Sequence, residues 1–494
     1  MKLLIIAPSA RAMYQDLAKD YMAIEPPLWA LLLAQSVRDK CEVNLYDMSA
    51  HPPANVTDFI FRINNYDPDV ILYSIYGSNP NSSSYYMQGA VDSANIIHEH
   101  FPSTPIFFSG NHCSAVPDDV LTKHTFLTGV FTNEGVYSLR DLIANKGKPE
   151  GVRGVWYLKD GRIEINPPSE VVPHERMDVD LPGFAWDLID FKDYRTSSWH
   201  TGFDRSKTSP FSSIYTSLGC IFQCNFCIIN SIGRNTNDLT KSADSFNKFR
   251  YWSIPHTTKQ LRYLADAGVS ALKFADEMWL LKPQHYAELS RVLKEEFAGV
   301  FNIWAYTRIS TCKEKFLEDV REAGVTHLAC GLESADQTIR EEITKGAFKD
   351  VDIKTVLQRI NDHGIGAGHN WIVGLGSDTY DSCNRTLASA LELSSLAANI
   401  NVYPAIDLPG SPLFSRNRAV KPYKEYSFLG YDCVPAGTPT MSPAEVLAFR
   451  DYFFTTCFTN PGYLNNIKNR FGQVAVDEIN RMAKIKLKRR SLGD

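Results

Sequence analysis

Short apolar runs alternate with helical patterns over most of this 494-residue chain. In the first tract, residues 1–145, the apolar runs are Leu3–Ala7, Val43–Tyr46, Val70–Ser74, Ile106–Ser109 and Val130–Phe131. The helical patterns between them are Leu28–Arg38, Met87–His100 and Val136–Ala144. A continuous apolar run of this kind is typical of a strand that is buried on both faces of a parallel sheet. The tract therefore predicts an α/β domain with a doubly wound parallel sheet.

The alternation resumes in residues 206–420, where further strand patterns are separated by helical patterns. The strands are predicted at Ser213–Thr216, Ala271–Phe274, Phe301–Ala305, His327–Cys330, Gly368–Val373 and Ile400–Ile406. Such a succession of strand–helix units favours a partial (β/α)6 barrel over a second open sheet. The chemistry of parallel barrels lies at the carboxyl ends of their strands.

Two further segments connect and follow these tracts. Residues 146–205 are rich in Gly and Pro and are predicted to be a linker, with a hairpin near Lys159. Residues 421–494 are predicted to be a helical region. A helix start is indicated by Ser442 as N-cap, Pro443 in the first turn and Glu445 as the capping-box acid.

The composition excludes several classes of protein. The formal net charge of -5 argues against a dedicated nucleic-acid binder. No apolar stretch approaches the roughly 18–20 residues of a membrane span. The run Leu3–Ala7 is shorter than the ~7–15 apolar residues of a signal peptide and is better explained as a first strand. We therefore expect a cytoplasmic protein.

Three of the ten cysteines are clustered directly after a predicted strand, with C-x3-C-x2-C spacing: Cys220, Cys224 and Cys227. Three thiolates on one loop can ligate three irons of a [4Fe–4S] cluster and leave the fourth iron open. A structural zinc site needs four ligands, and the nearest other candidates, His200 and His256, are distant in sequence. The pattern favours an iron–sulfur cluster, with zinc and coincidence as the alternatives.

This cysteine loop, together with motifs after the later strands, resembles the radical S-adenosylmethionine (SAM) superfamily. The resemblance includes Phe274-Ala-Asp-Glu, Gly331-Leu-Glu-Ser, Gly374-Leu-Gly-Ser-Asp-Thr and Leu408-Pro-Gly-Ser-Pro-Leu-Phe. By this resemblance the SAM-binding residues are Phe226, Asp276, Glu277, Arg308, Glu333 and Gly374. The family usually has Pro where this chain has Gly376.

The amino-terminal tract resembles the flavodoxin-like cobalamin-binding domain that is fused to many radical SAM enzymes. The resemblance is carried by Pro26-Pro-Leu-Trp, Asp67-Pro-Asp-Val, Phe108-Ser-Gly-Asn-His and Thr132-Asn-Glu-Gly. It implies that the residues near the corrin are Ser74, Gly110, Asn111, His112, Asn133 and Glu134. The Asp-x-His-x-x-Gly motif that supplies a histidine to cobalt in some cobalamin proteins is absent, because Asp47-Met-Ser-Ala-His51 has the wrong spacing. Bound cobalamin is expected, with an empty scaffold or another ligand as the alternative.

The two resemblances together imply an enzyme that cleaves SAM to a 5′-deoxyadenosyl radical. The leading hypothesis is cobalamin-dependent methylation of an unactivated carbon of a small molecule. The second is a radical cyclisation or rearrangement, as in anaerobic oxidative cyclases, and the third is a non-catalytic metal-binding protein. The implied partners are a small-molecule substrate and a reductant such as flavodoxin or ferredoxin. Neither the substrate nor a catalytic residue can be assigned from the sequence.

Overall fold

The computed structural model of the chain describes residues 1–15, 21–234, 236–239, 249–344, 351–414 and 419–494. Elements are numbered here in chain order. Within the described residues, the strands form a seven-stranded sheet, a six-stranded sheet and a small two-stranded sheet.

The first sheet is built from residues near the amino terminus. Its strands are β1 (Lys2–Ala7), β2 (Glu42–Asp47), β3 (Val70–Ser74), β4 (Ile106–Ser109), β5 (Gly129–Phe131), β6 (Val155–Lys159) and β7 (Arg162–Ile165). Their order across the sheet is β2-β1-β3-β4-β5-β6-β7, with parallel pairing up to β5 and antiparallel pairing after it. The order of the first five strands is that of a flavodoxin-like fold, so the predicted doubly wound sheet is confirmed.

Helices cover both faces of this sheet. They are α1 (Leu28–Val37), α2 (Val56–Tyr66), α3 (Ser83–His100), α4 (Asn111–Ala115), α5 (Pro117–Lys123) and α6 (Val136–Ala144). Successive side chains of a strand point to opposite faces, so Leu3 and Ile5 join one core and Leu4 and Ile6 join the other. Burial on both faces explains why β1 is apolar at every position after Lys2.

The chain after α6 extends the same sheet. β6 and β7 form an antiparallel hairpin whose turn residues, Asp160 and Gly161, both have positive φ (49° and 74°). β6 pairs with β5. The segment predicted to be a linker therefore contributes two strands to the first sheet, and it also contains the one-turn helix α7 (Met177–Asp180).

The second large sheet is the partial barrel. Its strands are β8 (Phe211–Ile214), β11 (Ala271–Phe274), β12 (Asn302–Arg308), β13 (Val325–Glu333), β14 (Gly366–Val373) and β15 (Ala397–Pro404). All its pairs are parallel, in the order β15-β14-β13-β12-β11-β8, so β15 and β8 are the two edges. Its helices are α8 (Ile254–Asp266), α9 (Pro283–Glu296), α10 (Leu317–Glu322), α11 (Gln337–Thr344), α12 (Ile353–Asp362) and α13 (Tyr380–Glu392).

Two short strands follow the first barrel strand. β9 (Ser217–Leu218) pairs antiparallel with β10 (Arg250–Tyr251), which returns to the barrel before α8. The cysteine loop begins directly after β9. It therefore emerges at the carboxyl end of the barrel strands, where the chemistry of a parallel barrel is expected.

Three helices near the carboxyl terminus pack on the edge of the barrel: α14 (Pro443–Phe458), α15 (Pro461–Phe471) and α16 (Gln473–Ala483). The predicted start of α14 is present, since the Ser442 side chain accepts from the Glu445 amide (3.3 Å) and Glu445 accepts from the Ser442 amide (2.7 Å). Within the described ranges, no helix combines the length and apolar character needed to cross a bilayer.

Candidate active site at the mouth of the barrel

The cysteine loop lines a cavity of about 350 Å³ between the barrel mouth and the first domain. Cys220, Cys224 and Cys227 all lie on its wall, and none of them is in a disulfide. Burial raises the pKa of the Cys220 thiol to about 11 and that of Cys224 to about 12. Metal-free, these thiols stay protonated at neutral pH; a bound cation would remove the protons.

The donor set fits a [4Fe–4S] cluster, because such a cluster takes one thiolate at each of three irons when the fourth is left open. Among the residues that the structure describes, no group of three or more His, Cys, Asp and Glu side chains is arranged to hold a single metal ion.

The two acidic residues after β11, Asp276 and Glu277, have different roles. Asp276 is fully buried and does not line the cavity; it accepts from the Thr216 amide (3.2 Å) and hydroxyl (3.0 Å) and from the Ser217 hydroxyl. It thus fixes the chain just before the cysteine loop. Glu277 lines the cavity and accepts from the Gly219 amide at 3.0 Å. Burial raises the pKa of Asp276 to about 6 and that of Glu277 to about 7.

Arg308 and Glu333 face the cavity from the ends of β12 and β13. The Arg308 guanidinium carbon lies 4.2 Å from the centre of the Phe222 ring. Burial raises the pKa of Glu333 to about 7, and the charge of Arg308 opposes this rise. Glu333 has φ of 62° at an irregularity in the pairing of β13 with β14. A non-glycine residue at positive φ is strained, and such residues cluster at ligand-binding positions.

The two remaining SAM-site predictions lie in different places. Phe226 lines the cavity beside the cysteines. Gly374 does not line it: its amide donates to Asp378 (3.0 Å), it has φ of 79°, and a Cβ there would lie 2.5 Å from Val446. Glycine is required at this position by the turn and by the close approach of α14.

The six residues predicted near the corrin lie at the carboxyl edge of the first sheet, and none of them lines the 350 Å³ cavity. Asn133 donates to the carbonyls of Ser169 (2.7 Å) and Arg234 (2.8 Å) and accepts from the Gly233 amide (3.0 Å). Glu134 forms a buried ion pair with Arg250 of β10. These two side chains therefore join the first domain to the chain that follows the cysteine loop.

The other four residues are also buried among protein atoms. His112 Nδ1 is 2.8 Å from the Ser84 hydroxyl, and burial lowers the pKa of His112 to about 3, so the ring is neutral. Asn111 donates to the Pro80 carbonyl (3.1 Å), and a Cβ on Gly110 would meet the Ile75 carbonyl oxygen at 2.2 Å. Ser74 lies at the end of β3, 6% exposed. All four are packed at this edge, and Nε2 of His112 and Oδ1 of Asn111 are buried without a hydrogen-bond partner among the described residues. Contact of these residues with the corrin stays a prediction.

The first domain reaches the cavity through the loop after β3, which the sequence marks as polar and suited to a cofactor but of which the family resemblance names only Ser74. Asn79, Pro80, Asn81 and Tyr85 face the cysteines from the loop after β3 and the first turn of α3. Asn81 accepts from the Ile228 amide at 2.9 Å. Carboxamides can pair with the carboxamide rim of a corrin, so the donor set of this wall fits cobalamin.

Lys273 is a feature that sequence reasoning missed. It is fully buried inside the barrel, and its ammonium donates to both carboxylate oxygens of Glu25 (3.1 and 2.8 Å) and to the Ser78 carbonyl (3.2 Å). The ammonium also lies 4.9 Å from the centre of the Trp304 ring and 5.1 Å from that of Tyr306. A lone lysine in the otherwise apolar strand Ala271–Phe274 was the available signal.

Comparison with known proteins agrees with this architecture. A model of the radical SAM superfamily matches residues 214–390, and a model of the B12 binding domain matches residues 16–143. The chain is therefore a radical SAM enzyme with an amino-terminal B12-binding domain, and its cofactors are a [4Fe–4S] cluster, SAM and cobalamin. Both family resemblances seen in the sequence are confirmed. The alternatives of a zinc site and of a non-catalytic metal-binding protein are excluded.

Three relatives illustrate the range of the class. An uncharacterized methyltransferase of Pyrococcus horikoshii is 24% identical over 421 residues, 84% of this chain and 82% of that protein. The anaerobic magnesium-protoporphyrin IX monomethyl ester cyclase of Rubrivivax gelatinosus is 23% identical, over 90% of this chain and 74% of that protein. The structure of the radical SAM methyltransferase TsrM from Kitasatospora setae, solved with cobalamin and a [4Fe–4S] cluster, matches with a TM-score of 0.66 and 14% identity over 98% of this chain and 99% of that one. The last likeness establishes the fold.

Proposed function

We propose that this enzyme methylates an unactivated carbon of a small-molecule substrate. The observation that carries the proposal is a single cavity lined by three cysteines, by charged side chains at the barrel strand ends and by a loop of the B12-binding domain. When bound, the cluster supplies the electron that splits the C–S bond of SAM, and cobalamin carries a methyl group. Because the cysteine loop and the B12-binding domain meet at this cavity, the reacting centres would lie close together, which is a large part of what a protein contributes to such chemistry.

The cysteines and the charged groups have separate roles in this proposal. Cys220, Cys224 and Cys227 ligate the cluster. Glu277 and Glu333 receive the ammonium group of SAM, and Arg308 receives its carboxylate, because paired opposite charges in a buried site give strong hydrogen bonds. Phe226 lies against the adenine. Asp276 and Gly374 do not contact SAM in this proposal. Asp276 fixes the start of the cysteine loop, and Gly374 fixes the turn after β14.

Cobalamin is proposed to contact the wall formed by Asn79, Asn81 and Tyr85. Asn111 and His112, which the family resemblance places near the corrin, support this wall through Pro80 and Ser84. Asn133 and Glu134 hold the chain that follows the cysteine loop. The two domains meet around this cavity, so bound cofactors would displace most of its water. A dry cavity protects a carbon radical from side reactions.

Radical cyclisation or rearrangement is the second candidate. It is favoured by the relative from Rubrivivax gelatinosus, a cyclase by name, whose similarity spans 90% of this chain. The two candidates differ in whether a methyl group enters the product.

The test is an anaerobic incubation of the reconstituted enzyme with methyl-deuterated SAM, a reductant and extracts of metabolites from its source, followed by mass spectrometry. Methyl transfer predicts a product that is heavier by a deuterated methyl group. A product without label contradicts methylation and favours cyclisation. The matched control is the Cys224→Ala variant, which should form neither product.

Three further properties belong to the same proposal. The reductant is a flavodoxin or ferredoxin, the protein works in the cytoplasm, and it has no nucleic-acid partner. The negative net charge of -5 supports the last of these. The domain limits that we propose are 1–145 for cobalamin binding, 206–420 for the barrel and 421–494 for the helical region.

A further inference from the structure

A second and larger cavity, of about 620 Å³, lies beside the open edge of the barrel. We call it the edge chamber. One wall is β15, which contributes Asn399 and Asn401. The opposite walls are the three helices α14 to α16 and the segment that precedes β8. The edge chamber thus lies between the edge of the barrel, the segment before β8 and the helices that follow the barrel.

The edge chamber meets the cysteine-lined cavity at two aromatic side chains. Tyr403, at the end of β15, and Phe428 line both cavities. Their ring centres are 5.1 Å apart, and the ring planes are nearly perpendicular at 75°. Where the two cavities meet, this pair of side chains therefore separates a molecule in the edge chamber from the cysteine-lined cavity.

Most of the wall of the edge chamber is apolar. Aromatic side chains approach it from several elements: Trp199, Phe203, Phe454, Phe458 and Tyr463. Apolar and aromatic walls bind the body of an organic ligand, while a small number of polar groups fix its orientation.

Arg450 is a buried cation that faces this apolar space, and the buried residues Asn399 and Glu478 line it too. It is 6% exposed, and its Nε donates to the Val402 carbonyl at 3.0 Å. Its Nη1 donates to Asp451 at 2.9 Å. Among the described residues, Nη2 has no hydrogen-bond partner. Nη2 is not one of the fully enclosed donors that lack a partner, so it borders the open space of the edge chamber and can donate to an acceptor on a ligand.

The charges around Arg450 do not balance. Asp451 also accepts from Arg489, at 2.9 Å from both Nε and Nη2, and Arg489 is fully buried. Two buried guanidinium groups thus share one carboxylate. Across the edge chamber, Glu478 is already paired with Arg205 at 3.1 Å. Asp494 is exposed and accepts from the backbone amide of Arg489. The buried excess positive charge favours an anion.

We propose that the edge chamber binds the substrate, and that the substrate has an apolar or aromatic body and one anionic oxygen group, which pairs with Nη2 of Arg450. This inference rests on the proposed function, since it locates the molecule that the radical chemistry modifies. The reacting carbon then lies towards Tyr403 and Phe428, on the side of the cysteines.

The test uses two dyes of nearly the same ring system in equilibrium dialysis against the reconstituted full-length protein. 8-Anilinonaphthalene-1-sulfonate has an anionic group, and N-phenyl-1-naphthylamine lacks it. We expect Arg450→Gln to weaken binding of the sulfonate at least about tenfold, as for loss of a charged hydrogen bond, and to leave the neutral dye within twofold. Lys486→Gln, which removes an exposed positive charge from the same lining, is the matched control and should change neither.

The proposal is overturned if Arg450→Gln and Lys486→Gln weaken binding of the sulfonate equally, or if Arg450→Gln leaves binding of the sulfonate unchanged. If Arg450→Gln does not fold, Thr455→Trp replaces it as the test variant, since Thr455 is an exposed residue on the rim of the edge chamber. The larger side chain should fill the edge chamber and weaken binding of both dyes at least about fivefold. Unchanged binding overturns the proposal. Formation of 5′-deoxyadenosine by the wild type is measured separately. Cleavage of SAM without Arg450-dependent dye binding removes the edge chamber alone. Arg450-dependent dye binding without cleavage of SAM removes the proposed function and the role of the edge chamber as its substrate site, and leaves an anion-binding cavity.

Discussion

At the scale of single residues, the cysteine-lined cavity separates side chains that the sequence presents as equivalent. Asp276 and Glu277 are neighbours in the chain, but Asp276 points away from the cavity and fixes Thr216, while Glu277 lines it. Sequence patterns could predict an acid pair at this strand end. They could not predict which of the two carboxylates faces the cavity, because that depends on how the chain turns after β11.

The cysteine loop gives the sharpest prediction at this scale. Changing Cys220, Cys224 or Cys227 to Ala should remove one iron ligand and reduce iron well below the ~4 per chain of a complete cluster. The measurement is iron content and visible absorbance after anaerobic reconstitution. Cys41→Ala, at a half-buried cysteine far from this loop, is the control and should keep its full iron. Full iron in all three loop variants would disprove the assignment.

Glu333 gives a second prediction. Glu333→Gln should keep the shape of the side chain and remove its charge, so that the affinity for SAM falls about tenfold, or ~1–2 kcal/mol. The measurement is equilibrium dialysis of labelled SAM with reconstituted protein. Glu318→Gln, at an exposed site on α10, should bind SAM like the wild type. Equal affinities for all three proteins would exclude Glu333 from the SAM site.

At the scale of elements, the strand–helix alternation was predictable because the strands are buried on both faces. The predicted strand Val70–Ser74 and helix Val136–Ala144 have the same bounds in the structure. The helices Val56–Tyr66 and Gln337–Thr344 were missed. The second is short and largely polar, whereas the first is amphipathic and its N-cap Asn55 was an available signal. Their position is decided by packing against the sheets, which a local pattern does not contain.

The hairpin β6–β7 was predicted near Lys159, but its pairing with β5 and the buried pair Glu134–Arg250 depend on distant parts of the chain. Glu134 lies on the first domain, and Arg250 lies in β10, which pairs with the strand just before Cys220. The pair therefore connects the edge of the first sheet with the start of the cysteine loop. The six corrin contacts suggested by resemblance stay predictions.

Breaking this pair should be costly for stability. Arg250→Met leaves a buried carboxylate without its partner, and such changes cost about 3–5 kcal/mol. The double variant Glu134→Gln/Arg250→Met should recover part of the loss. Arg262→Met breaks an exposed pair with Glu296 and should change the stability by less than ~1 kcal/mol. Urea unfolding measures all three, and an equally small effect of Arg250→Met would contradict the proposed connection.

At the scale of the whole molecule, contacts between distant segments hold the two domains together. Glu25 from the first domain pairs with Lys273 inside the barrel, and Asp47 at the end of β2 accepts from the hydroxyl of Tyr194 at 3.0 Å. These partners are separated by 147 or more positions in the chain. No local motif announces such pairs, so the domain arrangement could be predicted only through the family resemblance.

The raised pKa of Asp47 predicts that the stability of the folded chain depends on pH. Burial raises the pKa of Asp47 to about 6 in the folded chain, above its usual 3.8. The carboxyl of the unfolded chain loses its proton at a lower pH than the carboxyl of the folded chain. The contribution of Asp47 to the free energy of unfolding therefore falls as the pH rises from 3.8 to about 6. From pH 5 to pH 7 the wild type should lose about 1 kcal/mol relative to Asp47→Asn. Urea unfolding of both proteins at the two pH values measures this difference, and a constant difference would contradict it.

The central claim is that three cysteines hold a cluster on which SAM is cleaved within the cysteine-lined cavity. The most direct measurement is the amount of 5′-deoxyadenosine formed when anaerobically reconstituted protein is given dithionite and SAM. The account predicts 5′-deoxyadenosine from the wild type and none from Cys224→Ala, with the Cys41→Ala control active. Iron-replete wild-type protein that forms no 5′-deoxyadenosine, or a Cys224→Ala variant that forms as much as the wild type, would contradict it.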